Sequence, residues 1–580
     1  MKTMNKIQIV LLGAVVLVLS SCGDNWLNRE PAGGTIMESQ YQKMDNKLEW
    51  SLRGLYSMLY TFSDHDAFGQ RSIDMYGDLL SGDMALTSKT YGWFFQDEQQ
   101  ETRAERSGYM WLYYYRMMTN INSVIHTVKE ETPILDAVNA YGLPNDGLHV
   151  IGTDGDTIYT FTEAEAKMAN YYAQALTLRA FVYDKLINFY CPTMSHIYYE
   201  GNEATGFYIT TYPAFPLYTE DNYQEVQPMA MLSDVYNLVE SDLETAIAYF
   251  DAFRANVTRE NKLMADINVA RATLAYACIN KALHHPLYDE EMPLVKDPMT
   301  KALKHAEDII FSGEYRIIPN DRLTMTGFNN VDDESWIWGE DVSVETASGL
   351  GSFFGQCDIH SYSYAWAGDT KVIDKELYDF IPSWDGRKHW FNDGSKNATF
   401  TLCPDGKFFS EKCKVKTLED YKNLSTAADD LDREWLSDNV YLRIEAVYLM
   451  AAEAAYFLHD QTKAITYLDA LLSERLDWEN PDAATEYEAM KATLVDREAF
   501  AQELYRNWRL EMWGEGYGLQ TFRRLNYLYR YARSGGEPDK VYRGSNHLYE
   551  KSKPITYTDE IYTMMIPSSE LNYNPYMQDN

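Results

Sequence analysis

Apolar positions along this chain recur mostly at intervals of three and four, the spacing that lines one face of an α-helix. The clearest run is Tyr441, Ile444, Tyr448, Ala451, Ala455 and Leu458. A break at His459-Asp460 follows, and Ala464, Leu468 and Leu472 make a second stripe running towards Trp478. The two predicted helices occupy about 37 residues, close to the period of a tetratricopeptide helix pair. A second pair is predicted upstream. Val269, Thr273, Tyr276 and Ile279 share one face of an Ala-rich helix, a loop holds Pro286, Pro293 and Pro298, and 301–311 forms the partner. Gly313 stands just past its end, where a glycine stop belongs. Further helices are predicted over 164–190, closed by Cys191-Pro192, and over 229–250. Such units cannot bury their faces alone and must stack.

The remaining pattern is different. Turn residues bracket 149–152 and 157–162, which read as a small β-hairpin. The stretch 334–339 reads as a strand with Trp336 and Trp338 on one face and Ile337 on the other, and both Trp are expected in the core. Trp384 and Trp390, flanking Asp385-Gly386-Arg387, are expected to be structural as well. The segments 64–107 and 315–436 show little helical period and many Gly, Ser, Trp and Tyr. They are predicted to be irregular loops on a rigid scaffold, where binding residues tend to sit.

At the N-terminus, Lys2 and Lys6 precede an apolar run over 7–19 broken only by Gln8, and Leu19-Ser20-Ser21-Cys22 follows. This resembles a bacterial lipoprotein signal peptide over 1–21, with Cys22 the lipidated residue and 22–40 a polar tether. No later run reaches the roughly 18 apolar residues needed to span a bilayer, so the expectation is a lipid anchor and not an inserted helix.

Charge narrows the partners. The formal net charge is −36, which repels phosphate backbones and argues against nucleic acid. Six Cys, one of them Cys22, are scattered; Cys403 and Cys413 flank a turn and could pair. No C-x-x-C or H-E-x-x-H supports a zinc site. Calcium is unsupported: Asp154-Gly155-Asp156 and Asp332-Asp333-Glu334 offer oxygens but read as turns, so no cofactor is expected. No Gly-x-Ser-x-Gly elbow is present. Glu445 and Glu453 could stand as the carboxylate pair of a glycosidase. With Arg443, Arg509, Glu511 and Glu515 they are expected instead to form ion pairs holding the C-terminal helices. His284-His285 is expected to be a solvated loop.

Sugar rings stack their C–H faces on aromatic side chains and leave their hydroxyls to hydrogen-bond. Two segments carry the residues for that. Tyr91-Gly92-Trp93-Phe94-Phe95 with Gln96 and Asp97 is one; His360, Tyr362, Tyr364, Trp366 and Asp369, between glycines, is the other. The predicted ligand platform is Tyr91, Trp93, Tyr362, Tyr364, Trp366 and Asp369.

Several motifs, in order, resemble the SusD/RagB-like lipoproteins of Bacteroidetes. They are Trp111-Leu112-Tyr113-Tyr114-Tyr115 with Asn120 and Asn122; Leu178-Arg179-Ala180-Phe181 ending in Asn188-Phe189-Tyr190; and Ala306 through Gly313 and Tyr315. The stretch from Tyr441 to Ala454, then Glu511 through Gly516 with Arg523-Arg524, and finally Ile566-Pro567-Ser568-Ser569-Glu570 with Asn574-Pro575 complete the series. Asn507-Trp508 and Gly518 depart from the family pattern and put a couple of structural ion pairs in doubt. The resemblance implies a mainly α fold of about four tetratricopeptide-like helix pairs packed on an irregular region with a few short strands. It divides one integrated unit into helical parts over 41–314 and 437–580 and a loop-rich, aromatic binding region over 315–436. It implies a non-catalytic lid on the outer membrane, facing the cell surface. Such a lid passes oligosaccharide to a TonB-dependent, SusC-like channel. A peptide-binding importer lid is the alternative, and a surface glycoside hydrolase the weakest reading.

Overall fold

Thr162 and Glu165 start the longest helix. The Thr162 hydroxyl accepts from the Glu165 N–H at 3.2 Å, and the Glu165 carboxylate accepts from the Thr162 N–H at 2.7 Å. This reciprocal cap satisfies two of the donors that a helix start leaves unpaired. The computed structural model describes residues 46–577 apart from 61, 65, 87–104, 195–209, 211, 258, 260, 285–289, 325–329, 344–351, 358–363, 366–368, 392–437 and 531–561. Leu52–Asn580 makes one compact unit; of Met1–Ser51, only 46–51 are described, so Cys22 lies outside the described residues.

The protein is mainly helical. Its longer helices are α1 (Lys47–Ser57), α2 (Gln70–Ser81), α3 (Glu105–Glu131), α4 (Glu163–Tyr190), α5 (Leu232–Phe253), α6 (Ile267–Lys281), α7 (Pro293–Ile310), α8 (Ile444–Phe457), α9 (Gln461–Leu472), α10 (Arg497–Glu511) and α11 (Gly518–Arg530). From α3 to α9 each helix packs on the next in chain order, so every apolar stripe finds a neighbour. The predicted break between α8 and α9 is a Schellman turn. His459 takes a left-handed conformation (φ 59°), its N–H bonds the Tyr456 carbonyl at 3.1 Å, and the Asp460 N–H bonds that of Ala455 at 2.9 Å. Asp460 then caps α9 through the Lys463 N–H.

Short strands supply the rest. The two-stranded sheets described include β1 (Met84–Leu86) with β5 (Lys371–Ile373), β2 (His149–Ile151) with β3 (Thr157–Thr160), and β4 (Trp336–Glu340) with β6 (Asn439–Arg443). The β2–β3 hairpin is the predicted one. Trp336, Trp338, Trp384 and Trp390 are all buried, as expected. The Trp338 indole N–H donates to the Leu263 carbonyl at 2.9 Å and that of Trp390 to the Leu323 carbonyl at 2.8 Å, so neither ring strands a polar tip.

Four expectations are corrected. Segment 64–107 is not wholly irregular, because it contains α2. Every residue of α2 is buried, its polar Arg71, Asp74 and Asp78 included. Tyr441 belongs to strand β6, and its helix begins only at Ile444. Helix α7 starts at Pro293 and passes through Pro298. Pro293 lies at the first helical turn, where its missing N–H costs nothing. Pro298 cannot donate to the Leu294 carbonyl, and the Leu283 N–H bonds that carbonyl instead at 3.0 Å. His284 is buried, not solvated, and its Nε2 lies 3.0 Å from Glu453 Oε1; His285 lies outside the described residues.

Candidate functional site

The pairing of β1 with β5 brings together the two strand ends, Leu86 and Lys371, next to which the aromatic segments stand in the sequence. Met84 faces Ile373, Ala85 faces Val372 and Leu86 faces Lys371 in an antiparallel, fully buried register. The chain leaving Leu86 leads into Tyr91 and Trp93, and the chain arriving at Lys371 comes from Tyr362, Tyr364 and Trp366. Both segments therefore join the sheet at the same end. Tyr91, Trp93, Tyr362 and Trp366 themselves lie outside the described residues. Chain length alone keeps Trp93 within about 25 Å of Leu86 and Trp366 within about 18 Å of Lys371.

Tyr364 and Asp369 are described. Tyr364 is half-buried in a turn whose ends are tied: its carbonyl accepts from the Asp369 N–H at 2.9 Å, and the Ala365 N–H donates to the Gly355 carbonyl at 3.1 Å. Asp369 is buried, and its carboxylate lies 3.1 Å from the Lys371 ammonium, which also donates to Gln356. Burial lowers the Lys371 pKa, and Asp369 opposes that. Asp369 thus holds the base of the turn that presents Tyr364. The short helix Phe353–Cys357 lies beneath, with the Arg71 guanidinium of α2 over the Phe353 ring at 4.3 Å. Sequence reading missed Lys371, Gln356 and Arg71. Lys371 and Arg71 look like ordinary solvated charges, and three-residue strands leave almost no pattern.

The candidate carboxylates have a different fate. Glu511, fully buried, receives three arginines. Arg443 Nη1 reaches Oε1 at 2.7 Å, Arg475 Nε reaches Oε2 at 2.9 Å, and Arg387 Nη1 reaches Oε2 at 3.0 Å. Glu445 and Glu515 pair with Arg443 at 3.1 and 2.9 Å. Burial alone would raise the Glu511 carboxyl; Arg475 and Arg443 outweigh it and hold the group well below the usual carboxylate range. Arg387 Nη2 also bonds Asn507 Oδ1 at 2.6 Å, so the departure at Asn507 keeps its place in the network. Arg443, Glu445, Glu511 and Glu515 form the expected cluster, but Glu453 and Arg509 do not join it. Glu453 pairs with Arg524 at 2.6 Å and with His284, and Arg509 pairs with Asp83 at 2.6 Å. Gly518, the other departure, donates its N–H to Asp78 at 3.0 Å.

Neither candidate calcium cluster is arranged for a metal. Asp154 caps its own turn through the Asp156 N–H, and Asp333 does so through the Ser335 N–H. Among the described residues, no group of three or more His, Cys, Asp or Glu could hold a metal ion, and no helix is long and apolar enough to cross a membrane. Cys191, Cys278 and Cys357 are buried free thiols; Cys403 and Cys413 lie outside the described residues.

Residues 420–580 match the family model described as the SusD family. A SusD-like carbohydrate binding protein from Bacteroides vulgatus ATCC 8482 has the same fold: TM-score 0.61, 21% identity, 92% of this chain and 97% of that one covered. A SusD superfamily protein from Bacteroides thetaiotaomicron VPI-5482 gives TM-score 0.63 at 16% identity, covering 92% and 98%. One from Bacteroides fragilis gives 0.56 at 15%, covering 92% and 99%. No curated protein matches the chain. The C-terminal part of the chain thus matches the SusD family model, and over nine-tenths of its length the chain has the fold of these SusD-like structures.

Proposed function

We propose that the protein is a non-catalytic, lipid-anchored binding protein of the outer membrane, facing the cell surface. It captures oligosaccharide and passes it to a TonB-dependent, SusC-like channel. The observation that carries this reading is the Leu86–Lys371 register, which roots both aromatic segments at one end of one buried sheet. Trp93, Tyr91, Tyr362, Tyr364 and Trp366 then form one platform, with Asp369 as its support. A SusD-like relative of the same fold is described as carbohydrate binding, which favours glycan over peptide as cargo. The non-catalytic reading is supported by the fate of Glu445, Glu453, Glu511 and Glu515. All are buried and committed to arginines, so no substrate bond can lie between them. Cys22 supplies the anchor.

Isothermal titration against a panel of soluble polysaccharides and peptides tests the cargo. Heat with at least one polysaccharide and no release of shorter products is expected. Binding to peptides alone would favour the peptide-lid reading, and product release lost on mutating one carboxylate would make the protein a hydrolase.

A further inference from the structure

A second set of residues, none of them in the aromatic segments, lines a half-open cavity of about 170 Å³ beside the β4–β6 edge and the end of α1. A single water needs only about 10–15 Å³ of such space, so the cavity is sized for a small molecule. Glu340, 3% exposed, is its most deeply buried acid. Tyr60, Tyr441, Leu263 and Met264 wall it, and the exposed Asn261 stands at the rim.

Glu340 is the last residue of β4, opposite Asn439 of β6. Its Oε2 accepts from Asn439 Nδ2 at 2.8 Å and from the Tyr441 hydroxyl at 3.2 Å. Among the described residues nothing donates to its Oε1, and no arginine, lysine or histidine pairs with it. Burial pushes its carboxyl up to about 8, so the group is a neutral acid at pH 7. With Oε2 accepting twice, the proton belongs on Oε1, which becomes a donor. The Tyr60 hydroxyl likewise has no partner among the described residues. The Tyr56 hydroxyl, in contrast, is fully used: it donates to Gln174 at 2.8 Å and accepts from the Ala265 N–H at 2.9 Å. The cavity therefore offers a neutral donor deep inside, a phenol that can donate or accept, and aromatic and thioether walls, while the charged Arg53 and the exposed Asp341 also line it.

We propose that this cavity is a subsite for a single neutral sugar ring, its hydroxyls held by Glu340 and Tyr60 and its C–H faces packed on the tyrosine walls. The choice of a sugar over another small polyol rests on the glycan-binding reading; the free hydrogen-bonding positions on Glu340 and Tyr60 do not. An amine would instead ask for an ionised Glu340.

Saturation-transfer NMR on the purified protein, with methyl glycosides of neutral hexoses and pentoses and with glucosamine as the cationic control, tests this. At least one neutral methyl glycoside should bind. Glu340→Ala should weaken it about tenfold or more, and Tyr60→Phe by a few-fold, as lost hydrogen bonds do. Glu340→Gln should bind within about threefold of the parent, because an amide offers the same donor and acceptor as the neutral acid. Thermal melting confirms that each variant is folded. Preference for glucosamine, with binding lost in Glu340→Gln, would overturn the proposal in favour of a cation site. Binding that ignores Glu340→Ala would overturn it too. Polysaccharide binding with no methyl glycoside binding would reject the subsite and leave the capture reading standing; methyl glycoside binding without polysaccharide binding would do the reverse.

Discussion

Glu511 in the arginine cluster and Glu340 beside the cavity are both buried, yet their carboxyls are displaced in opposite directions. Burial acts on both and favours the neutral acid. Glu511 has Arg475, Arg443 and Arg387 within 3.0 Å, and they overcome burial. Glu340 has only an amide and a phenol as donors, and burial wins. Partners, not depth, set the charge of a buried carboxyl. The comparison also separates two jobs. In the cluster both Glu511 oxygens are saturated, which fixes α10 against β6 and leaves nothing for a ligand. At the cavity one oxygen is left over.

The largest effect is expected where the cluster is broken on one side. Arg443→Ala leaves Glu511, Glu515 and Glu445 buried with fewer partners and should cost about 3–5 kcal/mol in chemical denaturation. A loss below about 1 kcal/mol would mean the cluster does not hold the C-terminal elements.

Next comes Glu453, in the neighbouring pair with Arg524. Burial would raise its carboxyl, but Arg524 and His284 hold it at about 2, below its ordinary 4.5. A depressed carboxyl stabilises the fold above the unfolded value. That contribution is lost as pH falls from about 4.5 towards 2, and is on the order of 3 kcal/mol. In Glu453→Gln this part of the acid sensitivity should disappear, so the stability curve of the variant flattens between pH 5 and pH 2. An unchanged slope would reject the ion pair as its origin.

Glu340→Gln should have the smallest effect and the opposite pH trend. Near pH 5 the variant should lie within about 1 kcal/mol of the parent. The raised carboxyl keeps its proton in the folded state up to about 8 while the unfolded chain loses it from about 4.5. Folding therefore takes up a proton, and the parent should lose stability relative to the variant as pH rises through that window. Parallel curves would show that Glu340 is not the neutral acid the cavity requires.

In the helical stack α8 and α9 show the three-four rhythm and even the His459-Asp460 turn between them, although α8 is buried at every position but Tyr448. Helix α2 is buried all round although its sequence has a polar stripe, because Arg71 and Asp78 meet the backbone of Gly514, a partner that only the fold supplies. Pro298 signals a break that the Leu283 N–H makes unnecessary, a contact between residues far enough apart to be invisible in a local window. His284 looks solvated until the chain folds it onto Glu453. At the site, composition alone picks out the aromatic segments around Trp93 and Trp366. Their common root does not show, because Met84–Leu86 and Lys371–Ile373 are too short to read as strands. Glu340 gave no signal at all, since its neutrality depends on the absence of a cation in three dimensions.

Trp93 and Trp366 are proposed to serve one glycan platform next to the Leu86–Lys371 end of the β1–β5 sheet. Calorimetric titration of Trp93→Ala and Trp366→Ala with the polysaccharide that binds the parent tests it most directly. Each variant should lose about 1–3 kcal/mol of binding free energy with little change in melting temperature. Unchanged affinity in both would contradict the account.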